Sequence, residues 1–404
     1  MISTWKKYKL EDIASLRKEQ FVPKGEDLPY VGLEHIEQQV LRLNGIGSSK
    51  NVKSNKFRFY PGDILYGKLR PYFRKVYKPK FGGVCSTDIY VIKNKQSVNN
   101  SFLYYLIASE EFTSIANSGS TGTHMPRADW KQLEKSEWIL PINLFEQESQ
   151  ALILSSLDDK IELNLQMNKT LETIAQAIFK EWFVDFRFPG FDGDLVRGLP
   201  KGWFRQKLNT IIDIKHGYAF KGEFFSEEEN ENILLTPANF KIGGGFNETK
   251  LKYYCGEIPE NYILEQNDLI VTMTDLSKAG DTLGFSALVP EIAGKNLLHN
   301  QRLGKVIFKV AGHLKYYVNF IMQQPEYRHY ILGGATGSTV KHTSPTRIGD
   351  YTTVIPDENT LSLFENIAAP LLERVQENLS QNRTLIQLRD TLLPKLMTGK
   401  IKVA

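Results

Sequence analysis

The chain has little that could support covalent chemistry. Only two cysteines occur in 404 residues, Cys85 and Cys255, and they belong to no CxxC pair. That excludes a disulfide framework and a cysteine-based metal site, and it fits a reducing cytoplasm. No apolar stretch reaches the roughly 20 residues a membrane-spanning helix needs, and Met1 to Lys9 lack a signal-peptide core. A nucleotide-binding GxxxxGK loop is missing, as are HExxH and GxSxG. Pro-Pro does not occur at all, so there is no Asn-Pro-Pro-Tyr-like tetrapeptide of the kind an adenine aminomethyltransferase needs. The seven histidines are scattered. These absences point to a non-catalytic protein with no metal or cofactor of its own.

What the chain does have is an internal repeat. Trp5, Leu10 and Ile13 recur in the same spacing as Trp203, Leu208 and Ile211. Thr121-Gly122-Thr123 is echoed by Thr336-Gly337-Ser338, and Leu140-Pro141 by Ile355-Pro356. Asn164, Asn168 and Leu171 return as Asn378, Asn382 and Leu385. A duplicated unit gives two similar surfaces on one chain, and so a partner gripped in two places.

The order of marks divides the chain into a globular domain (1–144), a long helix (145–185), a linker (186–200), a second globular domain (201–358), and a second long helix with a tail (359–404). Each globular domain reads as mixed strand and helix. Residues 57–66 give strand, turn, strand, and Asp88 to Ile92 another strand. Ser101 is placed to cap a helix through Phe102 and Ile107. The helical stripe Ile153, Leu157, Ile161, Asn164, Asn168, Leu171, Ala175, Ile178, Trp182 steps by threes and fours, close to 3.6 residues per turn. Its copy is Ile367, Leu371, Val375, Asn378, Asn382, Leu385, Arg389, Leu392, Leu396. Pro370 and Pro394 predict a first-turn position or a kink in that copy. Each stripe is the natural partner of the other. Asn164, Asn168, Asn378 and Asn382 would cost stability unless paired with each other or with water, and such asparagines can fix helix register.

Charge is unevenly spread. Residues 1–144 carry 22 Lys and Arg against 14 Asp and Glu, whereas 145–185 carry 3 against 8. The first domain suits a polyanion, and the acidic helix suits a protein partner. Residues 56–80 interleave Lys68, Arg70, Arg74 and other basic groups with aromatics. This pattern fits phosphate contact over packed aromatics, and equally a solvated hairpin with its rings in the core. The glycine-rich turns 118–127 and 333–342 could bring backbone NH groups close to a phosphate, or could be capping loops.

The layout resembles the specificity subunit of type I restriction–modification systems. The resemblance is carried by Phe145-Glu-Gln, Leu157-Asp-Asp-Lys-Ile161, Asn168-Lys-Thr-Leu171, Phe179-Lys-Glu-Trp-Phe-Val-Asp-Phe186 and Leu392-Leu-Pro-Lys-Leu-Met-Thr-Gly399. It covers essentially the whole chain and is loose in the globular domains. It departs at Phe364-Glu-Asn, where a Glu-Gln start is absent. The resemblance implies an α+β fold of two target recognition domains joined by two long antiparallel helices, with a pseudo-twofold repeat. It further implies that each domain reads half of a bipartite, asymmetric site in double-stranded DNA, and that the helices set the spacer. Two methyltransferase (modification) subunits would dock on the helices and restriction subunits would join them; S-adenosylmethionine, ATP and Mg would sit on those partners. Candidate DNA contacts are Lys68, Arg70, Arg74, Thr121, Thr123, His124 and Arg127 in the first domain. In the second they are Arg302, Thr336, Ser338, Thr339, Lys341 and His342. Arg70 and Arg302 are preferred as base readers because arginine can be bidentate to guanine. A stand-alone DNA-binding protein would share the fold without the partners. A coiled-coil scaffold would lack salt-dependent DNA affinity.

Overall fold

The computed structural model describes residues 5–120, 125–310, 312–401 and 403. They fall into two compact units, Met1–Glu162 with Asn382–Ala404, and Leu163–Gln381. Each unit thus holds one globular domain and a part of each long helix.

In the first unit a four-stranded antiparallel sheet runs in the order Ala14–Leu16, Ile89–Asn94, Ile64–Gly67, Val76–Tyr77. A five-stranded sheet runs Gln20–Phe21, Lys56–Phe59, Gly83–Cys85, Pro29–Val31, Gly47–Ser48, with one parallel pair, Pro29–Val31 on Gly83–Cys85. Trp5–Lys9 pairs with Glu137–Pro141, bringing the ends of the domain together. The strands expected in 57–66 both form, but they enter different sheets. The cause is the turn between them. Gly62 supplies a φ of 87°, and the Asp63 carboxylate accepts from Tyr60 N (2.8 Å) and from Arg17 Nε (2.8 Å) and Nη2 (3.1 Å). The chain is pinned there as it crosses over. Phe59 and Tyr66 are buried in the core, while Tyr60 and Tyr72 stay exposed.

The helix expected to start at Ser101 spans Asn100–Ile107. Its cap is Asn99, whose side chain accepts from Ser101 N (2.9 Å) and Phe102 N (3.1 Å). Asparagine satisfies two free amides of the first turn, so Ser101 falls inside the helix.

The second unit repeats this plan. Its four-stranded sheet is Ile212–His216, Leu303–Phe308, Leu269–Thr272, Ser286–Leu288. In its five-stranded sheet Asn232–Leu235 lies parallel to Asn296–His299. Phe204–Lys207 pairs with Thr352–Ile355. Even the pinned turn recurs: Asp268 accepts from Glu265 N (2.8 Å) and pairs with Lys305 (2.6 Å), where Asp63 used Arg17.

The long helices span Leu144–Phe179, followed by a π-helical turn Lys180–Val184, and Glu358–Met397. Pro370 and Pro394 both lie inside the second helix, and neither ends it. Both are exposed, so the carbonyls they leave without an amide, at Asn366 and Asp390, can turn to water. The stripe also shifts at its start. Ala151, Leu154, Phe364 and Ala368 are buried there, whereas Ile367 is 37 % exposed. These residues face their own domain's core, with Leu10 and Phe102 in the first unit and Leu208 and Tyr317 in the second. Farther along, all four stripe asparagines are buried. Asn378 Nδ2 donates to Asn168 Oδ1 (2.8 Å), and Asn164 Nδ2 to Gln381 Oε1 (2.8 Å). Asn382 Nδ2 donates to the Ile161 carbonyl (3.3 Å).

Candidate nucleic-acid interface

In the first unit the strand Ile64–Gly67 delivers Lys68 to the end of the sheet. Lys68 N donates to Asp88 O (2.9 Å), and Lys68 O accepts from Ala128 N (2.9 Å). Leu69 bridges Arg127, and Arg70 N donates to Pro126 O (2.7 Å). This frame gathers Lys68, Arg70 and Arg127 on one surface. Arg127 is exposed, and its Nε donates to Asp88 Oδ1 (3.1 Å). Lys68 Nζ lies 5.3 Å from the centre of the Tyr90 ring, whose hydroxyl donates to Ala128 O (2.8 Å). Arg70 (φ 53°) and Arg74 (φ 45°) flank the tight turn Pro71–Phe73.

Arg74 is not available in the same way. Its side chain is 11 % exposed, bonded to Gln39 O (3.2 Å) and facing Glu110 (3.8 Å). Thr121, Thr123 and His124 lie outside the described residues.

The second unit builds the same frame with other side chains. Met273 N donates to Arg302 O (2.9 Å), and Met273 O accepts from Thr343 N (3.0 Å). Thr274 pairs with His342 and Asp275 with Lys341. The positions of Lys68, Arg70, Asp88 and Arg127 are therefore held here by Met273, Asp275, Arg302 and His342. Arg302 is exposed. Thr274 Oγ1 lies 3.2 Å from His342 Nδ1. Thr336 and His342 exchange main-chain hydrogen bonds (3.0 and 2.9 Å) across the loop whose tip exposes Ser338 and Thr339. Five of the six residues expected here are exposed; Lys341 is half-buried.

The sequence reading missed Asp88, Thr274 and Asp275. In the sequence Asp88 marks only the start of a strand. Asp275 looked like one acid among many, yet its carboxylate accepts from Ser277 N (2.6 Å) and Thr282 Oγ1 (2.7 Å), and also from Thr282 N. Burial pushes this carboxyl up, but those hydrogen bonds outweigh it and hold it below the usual carboxylate value.

Behind the frame His299 is 1 % exposed, and its Nε2 lies 3.0 Å from Leu303 O. A carbonyl can only accept, so the neutral ring carries its proton on Nε2. Burial lowers its pKa to about 4. The folded protein therefore favours the uncharged ring, and the unfolded chain binds the proton first. This contribution is complete above the unfolded value of about 6.5 and is lost as pH falls through 4, by about 3 kcal/mol in all. Between pH 7.5 and pH 5 wild type should lose about 2 kcal/mol more than His299→Gln in urea titrations. Equal losses would remove His299 from the account.

Among the described residues no group of three or more His, Cys, Asp or Glu side chains could hold a metal ion. No helix among them is long and apolar enough to cross a membrane.

Two mixed domains built on a shared frame, with two long helices, set the fold class, and comparison with known proteins shows what the chain is similar to. Residues 2–173 match the family described as the type I restriction modification DNA specificity domain. The chain is 25 % identical over 325 residues to the MjaIX specificity subunit of Methanocaldococcus jannaschii, covering 76 % of this chain and 71 % of that protein. It is 24 % identical over 473 aligned positions to the HindI specificity subunit of Haemophilus influenzae, covering 99 % and 100 %. The crystal structure of a type I S subunit from M. genitalium shares the fold, with a TM-score of 0.58 at 14 % identity, over 98 % of this chain and 96 % of that one. The chain is thus similar along its length to type I restriction–modification specificity subunits, the non-catalytic DNA-recognition components of these systems.

Proposed function

We propose that each unit reads one half of a bipartite, asymmetric DNA site through its frame. Lys68, Arg70 and Arg127 serve the first half-site, and Arg302, His342 and the 336–341 loop the second. Arg74 acts as an internal brace of the first surface. Modification subunits dock on the long helices, which set the length of the unread gap, and restriction subunits join the complex. S-adenosylmethionine, ATP and Mg belong to those partners, and the complex works in the cytoplasm. One observation carries this reading: identical main-chain frames hold different side chains in the two units. One scaffold is thereby fitted to two different sequences.

The test is methylome mapping. The chain is expressed with its genomic modification subunit in a methylation-free host, and modified adenines are read by long-read sequencing. The expected result is a split motif, two short halves around a fixed gap. Inserting one helical turn into both long helices should lengthen the gap by about two base pairs and leave both halves unchanged. A soluble, partner-bound chain that yields no split motif would overturn the reading.

A further inference from the structure

The two units differ in the stretch of chain that leaves the frame. Between the residues paired alike in the two sheets, Gly67 and Val76 in one unit and Thr272 and Ser286 in the other, the first unit has 68–75 and the second 273–285. The second is longer by five residues. The extra residues fall within a loop, Asp275–Gly284, that is braced from inside. Besides the Asp275 bonds to Ser277 and Thr282, Arg328 donates from Nη1 to Leu283 O and from Nη2 to Gly280 O. Its guanidinium lies 4.6 Å from the centre of the Phe285 ring, and Asp281 contributes to its electrostatic environment. Ser277 Oγ accepts from Asp281 N (2.8 Å). Gly280 and Gly284 take φ values of 65° and 81°.

Leu283 anchors the loop in the core, but the tip that this bonding holds in place buries nothing. Leu276 is 63 % exposed, Lys278 and Ala279 are exposed, and among the described residues Lys278 has neither an ion-pair nor a hydrogen-bond partner. A leucine held out in water on a rigid loop costs solvation and brings no packing in return. Leu276 directly follows Asp275, which pairs with Lys341 in the frame. The loop therefore projects from the same edge as Arg302 and His342.

We propose that this loop is a second-half-site reader in its own right, with Leu276 contacting the apolar edge of a base in the major groove and Lys278 a phosphate beside it. The proposal rests on the DNA-reading assignment above. A thymine methyl is the groove feature an aliphatic side chain recognises, and a lone lysine acts as a point charge on the backbone. Pre-ordering by Asp275, Thr282 and Arg328 removes the entropy cost of fixing the loop on DNA. The first unit has no such element, so its half-site is read from the frame and from the loop before Arg127.

The test uses the full chain with its modification subunits. Leu276→Ala should relax the methylated motif at one position of the second half-site and weaken binding there about tenfold, the low end of one mismatched pair. The first half-site should be unchanged in the same data. Lys278→Ala should weaken binding to all sequences and reduce the salt slope by about one. Both residues are exposed, so the unfolding midpoint should not move. An unchanged motif and affinity in Leu276→Ala would overturn the proposal while wild type still gives a split motif. Loss of the split motif in wild type would instead bring down the underlying assignment, and this inference with it.

Discussion

Replacing Arg389 by leucine is expected to destabilise the chain by about 3 kcal/mol, the low end for breaking a buried ion pair by removing one partner, because Asp158 keeps some contact with water. Arg389 is 1 % exposed on the second long helix. Its Nη1 donates to Asp158 Oδ1 (2.8 Å) and its Nε to Asp390 Oδ1 (3.0 Å). Asp158 Oδ2 in turn accepts from Tyr105 OH (2.7 Å). Burial works against the guanidinium charge, but Asp158 and Asp390 outweigh it and keep the pKa raised. Leucine at 389 would leave the Asp158 carboxylate, 25 % exposed, with the Tyr105 hydroxyl and water as its partners.

The repeat supplies the control. At the corresponding places of the second unit stand Phe320, Leu372 and Ala175, all buried in one apolar core. Evolution has thus filled one site twice, once with a charged triad and once with hydrocarbon. The triple variant Tyr105→Phe, Asp158→Leu, Arg389→Ala copies the apolar solution into the first unit. It should recover most or all of the loss, since replacing a buried ion pair by packed apolar groups is often neutral or better. Urea unfolding of wild type, the single and the triple variant decides the matter. A single variant within about 1 kcal/mol of wild type would show the triad to be inconsequential.

The parts legible in the sequence were those with a period. The long helices follow from steps of three and four, because burial of a stripe acts on every turn. The repeat is legible because the same marks recur in the same order, Trp5 as Trp203, Pro141 as Pro356 and Asn164 as Asn378. What stayed hidden depends on single side chains meeting across long stretches of sequence. Arg389 occupied a stripe position, and nothing local marks Asp158, 231 residues away, as its partner. Asp88 meets Lys68 and Arg127 only in the closed sheet, and Asp275 meets Thr282 only once its own loop has closed. The prolines raise a related point. Their cost is set by whether the freed carbonyl reaches water, and the seam's geometry decides that, not the residue's rank in a propensity scale. The five-residue extension was in principle visible, since aligning Gly62-Asp63 with Asn267-Asp268 breaks the register before Ser286.

Gly337→Ala should abolish reading of the second half-site while leaving the protein folded. Gly337 has a φ of 90°, and a Cβ built there would stand 2.0 Å from the Val340 carbonyl oxygen. The left-handed conformation alone costs alanine about 1–2 kcal/mol, and the clash is with backbone that has nowhere to retreat. Relief requires opening the loop, which breaks the Thr336–His342 exchange and frees His342 from Thr274. Residues 336–339 are exposed, so little apolar burial is forfeited and the melting temperature should fall by no more than a few degrees. Recognition has no such reserve. Once His342, Ser338 and Thr339 no longer share one geometry, the loop must be re-formed on DNA at a cost of about 3 kcal/mol, or a hundredfold in affinity. DNA titration of the full chain, with duplexes altered in one half-site at a time, separates the effects. Discrimination at the second half-site should vanish and that at the first persist. Wild-type affinity in Gly337→Ala would mean that the 336–342 loop takes no part in reading DNA.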